Sequence, residues 1–185
     1  LGAGRGPGWL LAEQGLMRAG AAGAVRGSSA PAEELRYILD DCGAKGLVVE
    51  SAALLQSLDL GPERLARLRF VVLLCGKASS SQALDDQAHG GGAGDGAPPC
   101  LSWEDFLDRG AQAPPPTPPA GGEQRLATLL YTSGTTGQPK GVPLTHANLL
   151  HQLRHLGVAV APSPGDRVLS VLPIWHAYER SAEYF

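Results

Sequence analysis

The segment Tyr131-Thr132-Ser133-Gly134-Thr135-Thr136-Gly137-Gln138-Pro139-Lys140-Gly141 concentrates the residue types that grip phosphate. Gly134, Gly137 and Gly141 let the backbone approach a ligand closely and adopt positive φ. The hydroxyls of Thr132, Ser133, Thr135 and Thr136, together with successive backbone N–H groups, can surround phosphate oxygens. Lys140 adds a point positive charge. Stretches rich in Gly, Ser and Thr are commonly plain solvent loops. The spacing from Gly134 to Lys140 also differs from the G-x-x-x-x-G-K-S/T of a Walker A loop. Taken on chemistry alone, residues 131–141 read as a phosphate-binding loop.

Other reactive residues are weaker signals. His151 and His155 fall at i, i+4, a spacing that could grip a metal. No third ligand accompanies them, so they read as surface histidines. Cys42, Cys75 and Cys100 are widely spaced and odd in number, which indicates neither a zinc site nor a disulfide framework. A reducing compartment is the simpler reading. Arg64, Arg67 and Arg69 read as a solvated face.

The elements that must position the loop follow a helix–strand alternation. Leu10 to Met17 reads as a helix broken by Gly20 and Gly23. Pro31 suits a first helical position, and Leu35, Ile38, Leu39 and Cys42 form one apolar stripe that Gly43 stops. Leu47-Val48-Val49 is a strand, Leu54 to Leu68 a helix, and Phe70 to Leu74 the next strand. The stretch 79–99, with runs of Ser and Gly, reads as a flexible surface excursion. Trp103 to Leu107 reads as a short amphipathic turn. Residues 113–122 are a stiff Pro-rich connector. Leu126 to Tyr131 is a strand that runs straight into the loop. Thr145 then caps a helix from His146 to Leu156. Val168 to Leu172 is a last strand, before what should be another helix. The alternation predicts an α/β fold with a mostly parallel sheet covered by helices.

Bulk properties narrow the function classes. Hydrophobic residues make up 43% of the 185 residues, enough for a core. Net charge is −3, so no strong positive field recruits nucleic acid or an anionic membrane. No apolar run approaches the ~18 residues that a membrane span needs. The chain begins with Leu and carries no signal-peptide pattern, so it reads as cut and its targeting is not legible.

The order of residues from Thr132 to Gly141 resembles the T-S-G-T-T-G-x-P-K-G signature of the AMP-binding, or adenylate-forming, superfamily, and fits it at every position. Residues 172–185, from Leu172-Pro173-Ile174-Trp175-His176 through Tyr178-Glu179-Arg180, are similar to the corresponding stretch of the acyl–acyl-carrier-protein synthetases of plastids and cyanobacteria. Gln14 to Ala21, Val25 to Ser28, Glu33 to Ile38, Phe70 to Gly76 and Leu144 to Gln152 extend that resemblance. It covers nearly all of residues 1–185 except the Gly/Ser-rich excursion.

The resemblance implies a partial N-terminal domain of the adenylate-forming fold. It also implies a ligase that uses ATP and Mg2+ to activate a long-chain fatty acid, then passes the acyl group to a phosphopantetheine thiol. That thiol belongs to acyl carrier protein or to coenzyme A. By the same resemblance, Thr132, Ser133, Gly134, Thr135, Thr136, Gly137 and Lys140 hold the nucleotide, and Thr132 helps ligate magnesium. His176 and Lys140 are the catalytic candidates, and Trp175 and His176 lie against the acyl pocket. The plainer readings are that His176 is a core histidine capping a strand end and Trp175 a core aromatic. Glu179 and Arg180 read as a local ion pair and nothing more. The partners expected are a fatty acid and acyl carrier protein or coenzyme A, not nucleic acid. Membrane association would be peripheral only. A plastid location is implied by the resemblance, with the cytoplasm otherwise.

The family's downstream Tyr-Gly-x-Thr-Glu block and terminal catalytic lysine are absent from these residues. The 185 residues alone are therefore expected neither to fold fully nor to turn over, because the sheet would expose an edge. The rival reading is a truncated or non-catalytic product with at most nucleotide binding.

Overall fold

The computed structural model describes residues 7–76, 97–117, 119–132, 138–161, 163–167, 169, 172–173 and 175–183. They fall into two compact units. The first spans residues 26–116 with the start of the N-terminal helix; the second spans 13–25 and 117–185.

In the first unit a parallel sheet is built on a central strand. Helix α1 (Pro7–Arg18) contributes its opening residues, with Trp9 buried. Strand β1 (Gly23–Val25) belongs to the second unit. Helix α2 (Ala32–Asp41) buries Leu35, Ile38 and Leu39, the stripe its spacing predicts. Pro31 sits one place earlier than expected, at the N-cap, where its extended ψ of 141° leads the chain into the helix. Gly43 ends α2 at φ 58°, with its own N–H bonded to Asp40 O and that of Ala44 to Leu39 O. This paired bonding satisfies the last helical carbonyls.

Strand β2 (Gly46–Val49) pairs in parallel with β3 (Phe70–Leu73), which pairs in parallel with β4 (Cys100–Ser102). The single helix expected over 54–68 is instead two, α3 (Ala52–Leu58) and α4 (Gly61–Leu65). Asp59 turns left-handed at φ 43° and Gly61 at φ 67°. Pro62 follows, and it cannot donate to a continuing helix. The turn expected at 103–107 is a full helix, α5 (Trp103–Gln112), opened by a hydrogen bond from the Asp105 N–H to Ser102 Oγ at 3.0 Å. Leucines and valines from α2 through β3 close one apolar core, with Leu55, Val71 and Leu73 fully buried. Most of the expected 79–99 excursion lies outside the described residues.

The second unit centres on β5 (Leu126–Thr132), preceded by a short 3-10 turn at Gly122–Gln124. β1 pairs with β5 in parallel, Ala24 opposite Leu129, and β6 (Lys140–Thr145) pairs antiparallel on the other side. The α/β expectation holds, with one all-parallel sheet and one mixed sheet. Thr145 caps α6 (His146–Val160) as predicted, its hydroxyl accepting from Asn148 N–H while Asn148 Oδ1 accepts from Thr145 N–H. Helix α7 (Ala177–Glu183) follows. Of the strand expected over 168–172, residues 168, 170 and 171 lie outside the described residues. No described helix is long and apolar enough to cross a membrane.

Candidate functional site

β5 is an almost continuously buried strand: Ala127, Thr128, Leu130 and Tyr131 are all buried. Its last residue, Thr132, is exposed and pairs in register with exposed Lys140, the first residue of β6. Directly opposed residues of an antiparallel pair lie on one face with Cβ atoms about 5 Å apart. The end of the hairpin thus presents a hydroxyl beside an ammonium, a donor set that suits an anion. Ser133, Gly134, Thr135, Thr136 and Gly137, which complete the expected phosphate grip, lie outside the described residues.

Gly141 does not adopt the positive φ that its sequence context suggests. It lies in β6, opposite Tyr131, and not in the left-handed region. A Cβ there would lie 3.0 Å from Tyr131 Cζ and 3.1 Å from Tyr131 Oη. The glycine admits the buried tyrosine ring under the end of the hairpin.

His176 is exposed and caps a helix, so the picture of a core histidine at a strand end does not apply. Its N–H donates to Pro173 O at 2.8 Å, and its Nδ1 accepts from Tyr178 N–H at 3.2 Å, in the first turn of α7. With Nδ1 accepting, the ring proton resides on Nε2, which is left as a donor. Trp175 is half-buried.

Arg180 pairs with a carboxylate far away in the sequence, so the reading of a local ion pair and nothing more does not hold for it. It is 3% exposed and forms an ion pair with Glu13 of α1, also 3% exposed. Its Nη1 donates to Thr128 Oγ1 at 2.9 Å, and that hydroxyl donates to Gly23 O at 2.7 Å. Burial of two opposite charges demands such partners, because an unpaired buried charge is very costly. Sequence reading missed Glu13 and Thr128, and the only signal was a charged residue inside an apolar stretch of α1.

Two further polar groups flank β6. His146 N–H donates to Arg125 O at 3.0 Å, and Arg125 Nη2 lies 3.4 Å from His146 Nε2. Burial, and then the Arg125 charge, hold the His146 imidazole below its ordinary pKa. His151 and His155 are exposed on α6 with ring centroids 4.3 Å apart, and His155 Nδ1 bonds the His151 carbonyl at 2.7 Å. Among the described residues no group of three or more His, Cys, Asp or Glu side chains could hold a metal.

Known proteins resemble this chain in sequence and fold. The model of the AMP-binding enzyme family matches residues 1–185. The chain is 36% identical over 187 aligned residues to the chloroplastic long-chain-fatty-acid–[acyl-carrier-protein] ligase AEE15 of Arabidopsis thaliana, covering 96% of this chain and 24% of that protein. It is 42% identical over 81 residues to the peroxisomal long chain acyl-CoA synthetase 7 of the same plant, covering 44% of this chain and 11% of that one. Among solved structures, a long-chain-fatty-acid-CoA ligase (FadD1) from Archaeoglobus fulgidus matches with TM-score 0.69 and 26% identity, over 94% of this chain and 30% of that chain. The chain thus spans about a quarter of the length of the curated ligase it matches throughout, at 24%.

Proposed function

The chain belongs to the AMP-binding enzyme family, and from that premise we propose that its protein activates a long-chain fatty acid with ATP and transfers the acyl group to a thiol. A carboxylate is a poor electrophile. Its oxygen attacks the α-phosphorus of ATP, the bond to pyrophosphate breaks, and acyl-AMP forms. The thiol sulfur of a phosphopantetheine, on acyl carrier protein or coenzyme A, then attacks the acyl carbonyl; AMP leaves and the thiol proton is released. The 36% identity along 96% of the chain to a ligase for acyl carrier protein favours that acceptor, and the same relative supports a plastid location.

The observation that carries the reading is the register of the hairpin, Thr132 opposite Lys140 on either side of Ser133 to Gly137. Lys140 neutralises the pyrophosphate as it departs, and the hydroxyls and N–H groups of 132–137 surround the β- and γ-phosphates. Thr132, exposed at the strand end, is the residue that helps hold magnesium, which supplies further charge neutralisation when bound. The Nε2–H of His176 donates to the acid's carboxylate, and Trp175 lines the acyl side of the same site.

The test is magnesium-dependent ATP–pyrophosphate exchange by the intact protein with a long-chain fatty acid. Lys140→Ala is expected to lower kcat about 10²–10³-fold, the size of losing one preorganised charge donor. Absence of magnesium-dependent ATP affinity in the unaltered protein overturns the reading.

A further inference from the structure

We propose that Arg180 is a positioning residue: gripped between Glu13 and Thr128, its guanidinium ties His176 to the strand that ends at Thr132. The inference rests on the function proposed above. Arg180 lies in the first turn of α7 (Ala177–Glu183). His176 forms the cap of that helix and shares its first turn, since the Arg180 N–H donates to His176 O at 3.1 Å. Whatever fixes Arg180 therefore fixes the imidazole.

Two arms of one guanidinium do that fixing. Nη2 faces the Glu13 carboxylate, and Nη1 donates to Thr128 Oγ1 at 2.9 Å. Thr128 is fully buried in the middle of β5 and is itself held by its bond to Gly23 O on β1. The helix that carries the acid-binding imidazole and the strand that leads into the phosphate loop thus share one rigid reference point. A lysine could face Glu13 but has no second planar arm for Thr128. Small displacements of a catalytic group are expensive: about 1 Å can cost on the order of 100-fold in rate.

The experiment is a double-mutant cycle in the intact protein, read as kcat and KM for ATP in ATP–pyrophosphate exchange. Thr128→Val removes the hydroxyl at nearly constant shape. It is expected to lower kcat about tenfold with KM for ATP within about twofold, because the triphosphate grip is untouched. In a His176→Ala background the same substitution is expected to cost less than about twofold, since the group it positions is already gone. Thr128→Ser restores the hydroxyl and is expected to restore kcat. Arg180→Lys in the same cycle gives the same non-additivity, and it serves if Thr128→Val fails to fold. Additive losses in both cycles, or a Thr128→Ser protein as slow as Thr128→Val, overturn the inference while leaving the function standing. No exchange in the unaltered protein overturns the function and the inference with it.

Discussion

Among the described residues the sheets around β3 and β5 are both three-stranded and both built on a buried central strand, yet they bury different chemistry. Around β3 the packed side chains are leucines and valines, contributed by α2, α3 and α4 to one continuous apolar core. Around β5 the buried set includes Glu13, Thr128 and Arg180, joined by an ion pair and directed hydrogen bonds. Apolar packing is non-directional and tolerates repacking. A buried ionic network fixes orientation at the risk of a large penalty when one member is lost. Every described candidate for chemistry, Thr132, Lys140, Trp175 and His176, lies in the second unit. The first supplies burial; the second supplies directed polar geometry.

The harshest test of that contrast is Glu13→Ala. It leaves the Arg180 guanidinium buried without its carboxylate and is expected to cost about 3–5 kcal/mol. Hydrogen exchange should show the loss in the amides of β1 and β5, with those of β2 and β3 far less affected. Equal loss of protection in both sheets would break the comparison. Next in size comes Leu55→Ala in the first unit, where the side chain is fully buried. The cavity it leaves should cost about 3 kcal/mol, seen as a lower urea midpoint. Its kcat per folded molecule should match the unaltered protein; a fall approaching that of Lys140→Ala would show that the apolar unit does more than supply burial.

How much of this was legible depended on whether the signal was local. The stripe Leu35, Ile38, Leu39 carries its own periodicity, and the cap at Thr145 needs only residues three apart, so both were readable. The break between α3 and α4 was hidden because a leucine-rich stretch outweighed the pair Gly61-Pro62. β4 has three residues beside a low-complexity run, too short to show alternation. β6 overlaps the Gly-rich signature at Lys140-Gly141 and carries Pro143, so it shows no strand pattern of its own. The proline is tolerated because β6 pairs with β5 alone among the described strands, leaving an edge where a missing N–H is harmless. The composition of the candidate site was legible, because its residue order runs along ten consecutive positions. Its geometric supports were not: nothing local connects Glu13 to Arg180, and Tyr131 fills the space over Gly141 only once the strands pair.

The smallest effect expected is a pH dependence of the second unit, centred on His146. Burial first, and the neighbouring Arg125 guanidinium second, hold this imidazole below its ordinary pKa in the folded protein. The unfolded chain takes up the proton as pH falls through about 6.5, while the folded one resists until lower pH. Within that window the unfolded state binds more protons, so folding is weakened as the solution becomes more acidic. Above about pH 6.5 the contribution is complete and flat, and below the folded pKa no further loss accrues. His146→Gln removes the titrating group and should reduce the drop in urea midpoint between pH 7.5 and pH 5.5. By NMR, the His146 ring should titrate below its ordinary midpoint, and Arg125→Met should move it part of the way back, since burial remains. A His146 ring that titrates at or above the ordinary value would mean that Arg125 and the start of α6 are open to solvent. The contrast between the sheets would then rest on the Glu13–Arg180–Thr128 network alone.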